Sequence, residues 1–100
     1  MINLTTDNYH QEVENSRRPV MMDFWATWCD PCRRFSPVIK EVAQERNLKL
    51  CRVNVDDEPE LAAAFHISAI PTALLIQNGQ VIDRSDGVCP REELLQMGRK

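Results

Sequence analysis

In Asp23-Phe24-Trp25-Ala26-Thr27-Trp28-Cys29-Asp30-Pro31-Cys32 two different hydrophobic patterns meet. Upstream, Pro19 to Ala26 is almost continuously apolar, as in a central strand covered on both faces, and Asp23 is the residue that breaks the run. Downstream, Phe35, Val38, Ile39 and Val42 fall at i, i+3, i+4 and i+7 and predict a helix with one apolar stripe. Pro31 suits the first turn of that helix, whereas Pro37 lies inside it and removes a backbone donor. The two cysteines thus stand where a buried strand ends and a helix begins. Open α/β sheets carry their sites there, outside the carboxyl ends of the strands.

Working outward, residues 48 to 55 (Leu-Lys-Leu-Cys-Arg-Val-Asn-Val) read as the next strand, so that strand, helix and strand form a right-handed unit with parallel strands. Residues 1 to 4 predict a short strand. Thr5, Thr6 and Asp7 then cap a polar surface helix reaching about Ser16, with Tyr9 and Val13 as its apolar contacts. Glu58 to about Phe65 is a short helix with Leu61, Ala62 and Phe65 inward. Thr72 to Gln77 and Gln80 to Arg84 flank Asn78-Gly79, the dipeptide suited to a type I′ turn, and predict an antiparallel hairpin. Pro90 opens a last helix running towards Lys100, with Leu94, Leu95 and Met97 on the sheet. The expected fold class is α/β with a mixed central sheet.

A chain of 100 residues with 43% hydrophobic and 27% charged side chains has the size of a single domain, residues 1–100. It can bury enough surface to fold without disulfide staples or a structural metal. A net charge of −3 argues against a nucleic-acid binder. The pairs Arg17/Arg18, Arg33/Arg34 and Arg99/Lys100 are scattered and balanced by Asp56, Asp57, Glu58 and Glu60. The first residues show neither a positive n-region nor an apolar h-region, and no apolar run approaches the ~20 residues that span a bilayer, so no membrane role is expected. The default compartment is the reducing cytoplasm.

Four cysteines therefore need a reason other than stability. A Cys-x-x-Cys pair binds zinc or forms a reversible disulfide. Structural zinc takes four ligands, and neither the isolated Cys51 and Cys89 nor His10 and His66 show ligand spacing, so no metal is expected. The redox reading fits better, because a helix N-terminus stabilises the Cys29 thiolate and only a thiolate attacks a disulfide. Asp23, an acid inside an apolar strand, is expected to have a raised pKa and to exchange a proton near neutral pH. Cys51 reads as a core residue. Cys89, just before Pro90, is either a bystander or a thiol open to modification.

At these residues the sequence resembles the thioredoxin family. The segment from Asp23 to Cys32 is similar to the thioredoxin active-site segment. Pro37, Arg52-Val53-Asn54-Val55-Asp56, Ile70-Pro71-Thr72, Asn78-Gly79 and Gly87 follow at matching spacing, so the resemblance spans essentially the whole chain. It implies the thioredoxin fold and protein-disulfide reductase activity, with Cys29 as the exposed nucleophile and Cys32 as the buried resolving thiol. Asp23 matches the carboxylate that assists proton transfer at the resolving cysteine. Arg52 stands where the family has a nearby lysine, and it is Asp23's partner if Asp23 is only structural. An arginine does not give up its proton as a lysine can. Pro71 matches the family's cis-proline. Trp28, Ile70, Pro71, Gly87 and Val88 match an apolar docking patch around Cys29, with Trp25 as core or lid and Phe24 and Met22 as core. The resemblance further implies no bound cofactor beyond the redox-active Cys29–Cys32 disulfide. The implied partners are disulfide-containing proteins and an NADPH-dependent thioredoxin reductase, and the implied state is a monomer.

Departures from the family pattern gather near the cysteines. Asp30 replaces the usual glycine, and His66 and Ala69 stand where relatives often have glycine. A carboxylate roughly 6 Å from the Cys29 sulfur costs the thiolate about 0.7 kcal/mol, or about half a pKa unit, with Arg33 and Arg34 acting in the opposite sense. Asp30 is therefore expected to tune the pair with Pro31, or to select substrates with basic residues near their disulfides. The alternative functions are a specialised oxidoreductase serving one partner and a thioredoxin-fold binding subunit.

Overall fold

The structure, a computed structural model, describes residues 1–99. Five strands, β1 (Ile2–Asn3), β2 (Val20–Trp25), β3 (Lys49–Asn54), β4 (Thr72–Gln77) and β5 (Gln80–Asp86), form one sheet in the order β1-β3-β2-β4-β5. β3 runs parallel to β1 and β2, while β4 is antiparallel to both β2 and β5, so the sheet is mixed as expected. Helices α1 (Asp30–Glu45), α2 (Pro59–Ala64) and α3 (Arg91–Leu95) complete the fold.

The continuous apolar reading of β2 is explained by a core on each face. Met22 and Phe24 pack with Cys51, Val53, Leu74 and Ile76 on one side. Met21 packs with Ala73, Leu75 and the Phe35, Ile39 and Val42 stripe of α1 on the other. Side chains alternate along a strand, so Asp23 shares the Met21 side, under α1. There it sits in register between Arg52 of β3 and Ala73 of β4.

The helices are shorter at the chain ends than the sequence suggests. The expected helix to Ser16 is one π-helical turn, His10–Glu14, with Val13 buried. Thr5 is the residue whose side chain caps its approach: Asn8 N–H donates to Thr5 Oγ1 at 3.3 Å and Thr5 N–H to Asn8 Oδ1 at 2.8 Å. Only Tyr9 and Val13 bind this segment to the core, too little apolar surface for a longer helix. α3 ends at Leu95, and Lys100 lies outside the described residues. Arg46 of α1 donates to the carbonyls of Leu94 and Met97, both at 2.9 Å, and Gly98 turns the chain at φ +75°. A Cβ on Gly98 would lie 2.8 Å from Leu75 Cδ2, so the close approach requires glycine. β5 extends two residues beyond the predicted Arg84, because Thr72 and Asp86 remain in register past a bulge at Leu75/Ile76. The Asn78-Gly79 turn has positive φ at both residues, as the type I′ reading requires. Among the described residues no helix is long and apolar enough to cross a membrane.

Candidate active site

Cys29 is the N-cap of α1, with extended backbone, and Asp30 and Pro31 form the first turn. The backbone N–H of Cys32 donates to Cys29 Sγ at 3.2 Å, so the sulfur itself satisfies one of the donors that a helix start leaves open. Cys29 and Cys32 are joined as a disulfide with their Cα atoms 5.3 Å apart. Both cysteines are buried in this oxidised form, packed with Ala26, Trp25, Val55 and Ile70. The exposed position expected for Cys29 is thus not seen. Trp25, Val55 and Ile70 cover the sulfur pair.

Asp23 is 1% exposed. Arg52 Nε donates to its Oδ2 at 3.1 Å, and Ser36 Oγ lies 3.3 Å from the same oxygen. Ser36 in turn accepts from Arg52 Nη2 at 2.9 Å, and its one hydroxyl proton is shared between Asp23 Oδ2 and the Cys32 carbonyl, which lies 2.8 Å away. One hydroxyl therefore links the carboxylate to the backbone of the second cysteine. Oδ1 has no hydrogen-bond partner. Burial pushes the Asp23 pKa up and outweighs the opposing pull of the Arg52 charge and of the bonds from Arg52 and Ser36. The Arg52 guanidinium also lies 4.3 Å from the centroid of the Trp25 ring, so Trp25 is a half-buried wall of this network.

Ile70 and Pro71, two of the residues expected to form a docking patch, lie in the loop before β4. The Ile70–Pro71 peptide bond is cis, and Gly87 N–H donates to the Pro71 carbonyl at 2.7 Å, which draws the Gly87-Val88 segment to Pro71. Thr72 Oγ1 tightens the same loop by donating to the Ala69 carbonyl at 2.6 Å. Arg84 of β5 holds its far end through the carbonyls of Phe65 and His66. Trp28 is 66% exposed and Val88 59%. Trp28 and Ile70 line one shallow apolar hollow with Val55 and Ile67.

Asp30 bonds to Arg33, whose other nitrogen donates to the Thr27 carbonyl at 3.0 Å. Both charged groups are mostly solvent-exposed. Cys51 is fully buried, and burial pushes its thiol up to about 11. Cys89 is half-buried against the α1 side of the core. No group of three or more metal-ligating side chains exists among the described residues.

Two contacts at the site were not legible in the sequence. Trp28 Nε1 donates to Asp56 Oδ2 at 2.8 Å, a bond between residues 28 positions apart that orients the exposed ring. Ser36 is the other: a serine on the polar flank of an apolar helical stripe carries no signal that it faces a carboxylate on another strand.

The Thioredoxin family profile matches residues 1–100. Thioredoxin from Pyropia yezoensis is 41% identical over 93 residues, covering 91% of this chain and 87% of that protein. Thioredoxin 1 from Nostoc sp. is 41% identical over 95 residues, 93% of this chain and 89% of that one. A bifunctional thioredoxin reductase/thioredoxin from Mycobacterium leprae is 39% identical over 97 residues, which are 95% of this chain and 21% of the longer protein. With a disulfide-forming pair at the start of α1 and similarity along nearly its full length, the chain belongs to the thioredoxin family and is a protein-disulfide reductase.

Proposed function

We propose that Cys29 and Cys32 carry a two-electron dithiol–disulfide cycle with Cys29 as nucleophile. The observation that carries this assignment is the Cys32 N–H directed at Cys29 Sγ at the start of α1. In the reduced form that donor and the helix dipole favour negative charge on the same sulfur. The Cys29 thiolate attacks one sulfur of a substrate disulfide, and the other leaves as a thiolate that takes a proton from water. Cys32 then loses its proton to Asp23, and its thiolate attacks Cys29 Sγ. The mixed disulfide breaks, the second substrate sulfur leaves as a thiolate that takes a proton from water, Asp23 returns its proton to solvent, and the Cys29–Cys32 disulfide remains.

Other residues act around this cycle. Trp28, Ile70, Pro71, Gly87 and Val88 form the docking surface, while Asp30, Pro31 and Arg52 tune the pair. No further cofactor is bound, and the protein works as a monomer in the cytoplasm, in electron transport to disulfide-containing proteins. An NADPH-dependent thioredoxin reductase restores the dithiol. The joined reductase and thioredoxin named in the Mycobacterium leprae relative support that pairing.

Turnover of an insulin-like disulfide with NADPH and a thioredoxin reductase tests the whole reading. Steady turnover is expected, with complete loss in Cys29→Ser and a trapped mixed disulfide in Cys32→Ser. Turnover with a chemical dithiol but not with the reductase would point to a specialised recycling partner. Biological function retained in both variants would point to a binding subunit.

A further inference from the structure

Two grooves adjoin on the α1 and β3 side of the sheet, one of about 520 Å³ and one of about 160 Å³, sharing Met1, Lys40 and Leu50. Arg18, Arg33, Lys40, Lys49 and Arg52 line them, and no carboxylate does. This is a local inversion, since the chain has 15 acidic against 12 basic residues. The apolar floor of the larger groove is Trp25, Pro37 and Leu50. Three of the cations have carboxylate partners outside the lining: Arg33 with Asp30, Arg52 with Asp23 and Lys49 with Glu12. Among the described residues the Arg18 side chain bonds only the neutral Asn47, and the Lys40 side chain makes no hydrogen bond or ion pair. Two uncompensated cations over an apolar floor suit a short acidic stretch with interspersed apolar side chains. They are too few for the phosphate contacts that dominate nucleic-acid affinity.

Neither cysteine lines the groove, which adjoins the redox pair through Trp25, a lining residue that also packs against the cluster holding Cys29 and Cys32. Arg33 follows Cys32 directly, and Ser36 and Arg52 both bond Asp23. It shares no lining residue with the hollow formed by Trp28 and Ile70. We propose that this groove docks an acidic segment flanking the disulfide of a protein substrate. The charge preference is opposite to the one expected from Asp30 alone, because Asp30 is bonded to Arg33 and the cations without a carboxylate partner, Arg18 and Lys40, line the grooves.

The proposal names a substrate class for the disulfide-reductase activity and rests on it, so its test separates docking from chemistry. Two synthetic peptides with the same internal disulfide, one with Glu-rich and one with Lys-rich flanks, are reduced by the dithiol form at low and at physiological salt. The Glu-rich peptide is expected to have the higher kcat/KM by about three- to tenfold at low salt, the range that two exposed ion pairs provide. The double variant Arg18→Glu/Lys40→Glu should abolish or reverse that ratio. Arg99→Glu, a charge change outside the groove, should leave it.

Independently of catalysis, a cysteine-free Glu-rich peptide should shift the backbone amide resonances of Lys40, Gln44 and Leu50, and a Lys-rich one should not. Equal rates for the two peptides, the same loss in Arg99→Glu, or amide shifts elsewhere would overturn the proposal. So would a short oligothymidylate that binds these amides more tightly than the acidic peptide. If neither peptide is reduced but the amide shifts occur, the docking assignment stands and the reductase reading falls.

Discussion

Arg52 Nε lies 3.1 Å from Asp23 Oδ2, yet the paired carboxylate still has a raised pKa, because burial outweighs the ion pair. The folded protein holds the Asp23 proton more tightly than the unfolded chain, so this residue's contribution is most favourable below the unfolded carboxyl pKa of about 4. It is lost as pH rises through the folded value. Asp23→Asn removes the charge and keeps an oxygen for Arg52. Its Tm should exceed wild type at pH 7 to 8, with the gap closing as pH falls through the carboxylate range. Calorimetry across pH checks this, and a variant less stable at pH 8 would contradict it.

Ser36→Ala should raise the Asp23 pKa further, since the hydroxyl is one of the groups holding it down. The carboxyl carbon shift of Asp23 followed through a pH titration reads this directly. Ser36→Thr should restore the wild-type curve. Stability should change by less than about 1 kcal/mol, because the lost hydrogen bond is offset by alanine's better helix propensity.

Asp30→Gly frees the Arg33 guanidinium and removes a negative charge from the first turn of α1. Both changes favour the Cys29 thiolate and so stabilise the reduced form. The Cys29 thiol should titrate lower by about half a unit, with the redox potential rising by about 15 mV. Equilibration against glutathione measures the potential, and a fall would show that Asp30 does not act through the thiolate.

Gly98→Ala places a methyl group against Leu75 at a backbone angle that L residues avoid. A loss of about 1–3 kcal/mol is expected in urea unfolding, with unchanged disulfide reduction, since α3 takes no part in the chemistry.

Alkylation at pH 8 of the reduced, folded protein should label Cys29 and spare Cys51, whose thiol is fully buried and pushed up to about 11. Cys51 should react only when the protein unfolds. Labelling at Cys89 under the same conditions decides whether that half-buried thiol is a bystander.

The parts of the fold legible in the sequence are those fixed by local pattern. β2 and the α1 stripe could be read because their periodicities change at Cys29, and the hairpin because Asn78-Gly79 accepts positive φ. The pairing of Asp23 with Arg52 was reached only through family resemblance, since nothing local sets the register of β2 on β3. Ser36 and Asp56 could not be read at all. Their partners are 13 and 28 residues away, and the geometry that joins them exists only after the helix docks or the loop closes. The chain ends failed for a related reason: the Gly98 N–H that would carry the helix on past Leu95 donates instead to Asp83 Oδ2 of β5 at 2.9 Å, and Arg46 of α1 caps the Leu94 and Met97 carbonyls.

The Gly87–Pro71 bond uses up main-chain groups of the loop whose Ile70 packs against the disulfide. Pro71 has no N–H, its carbonyl is taken by Gly87, and Gly87 spends its own N–H in the same bond. The Ile70 backbone forms no such bond among the described residues. It is thus the open main-chain edge of this rim. A substrate strand laid along Ile70 would be read through its peptide groups, which every sequence shares. Main-chain pairing there would be blind to sequence, so discrimination among partners would have to come from the side chains around that edge, the exposed Trp28 and Val88, or from surfaces farther away.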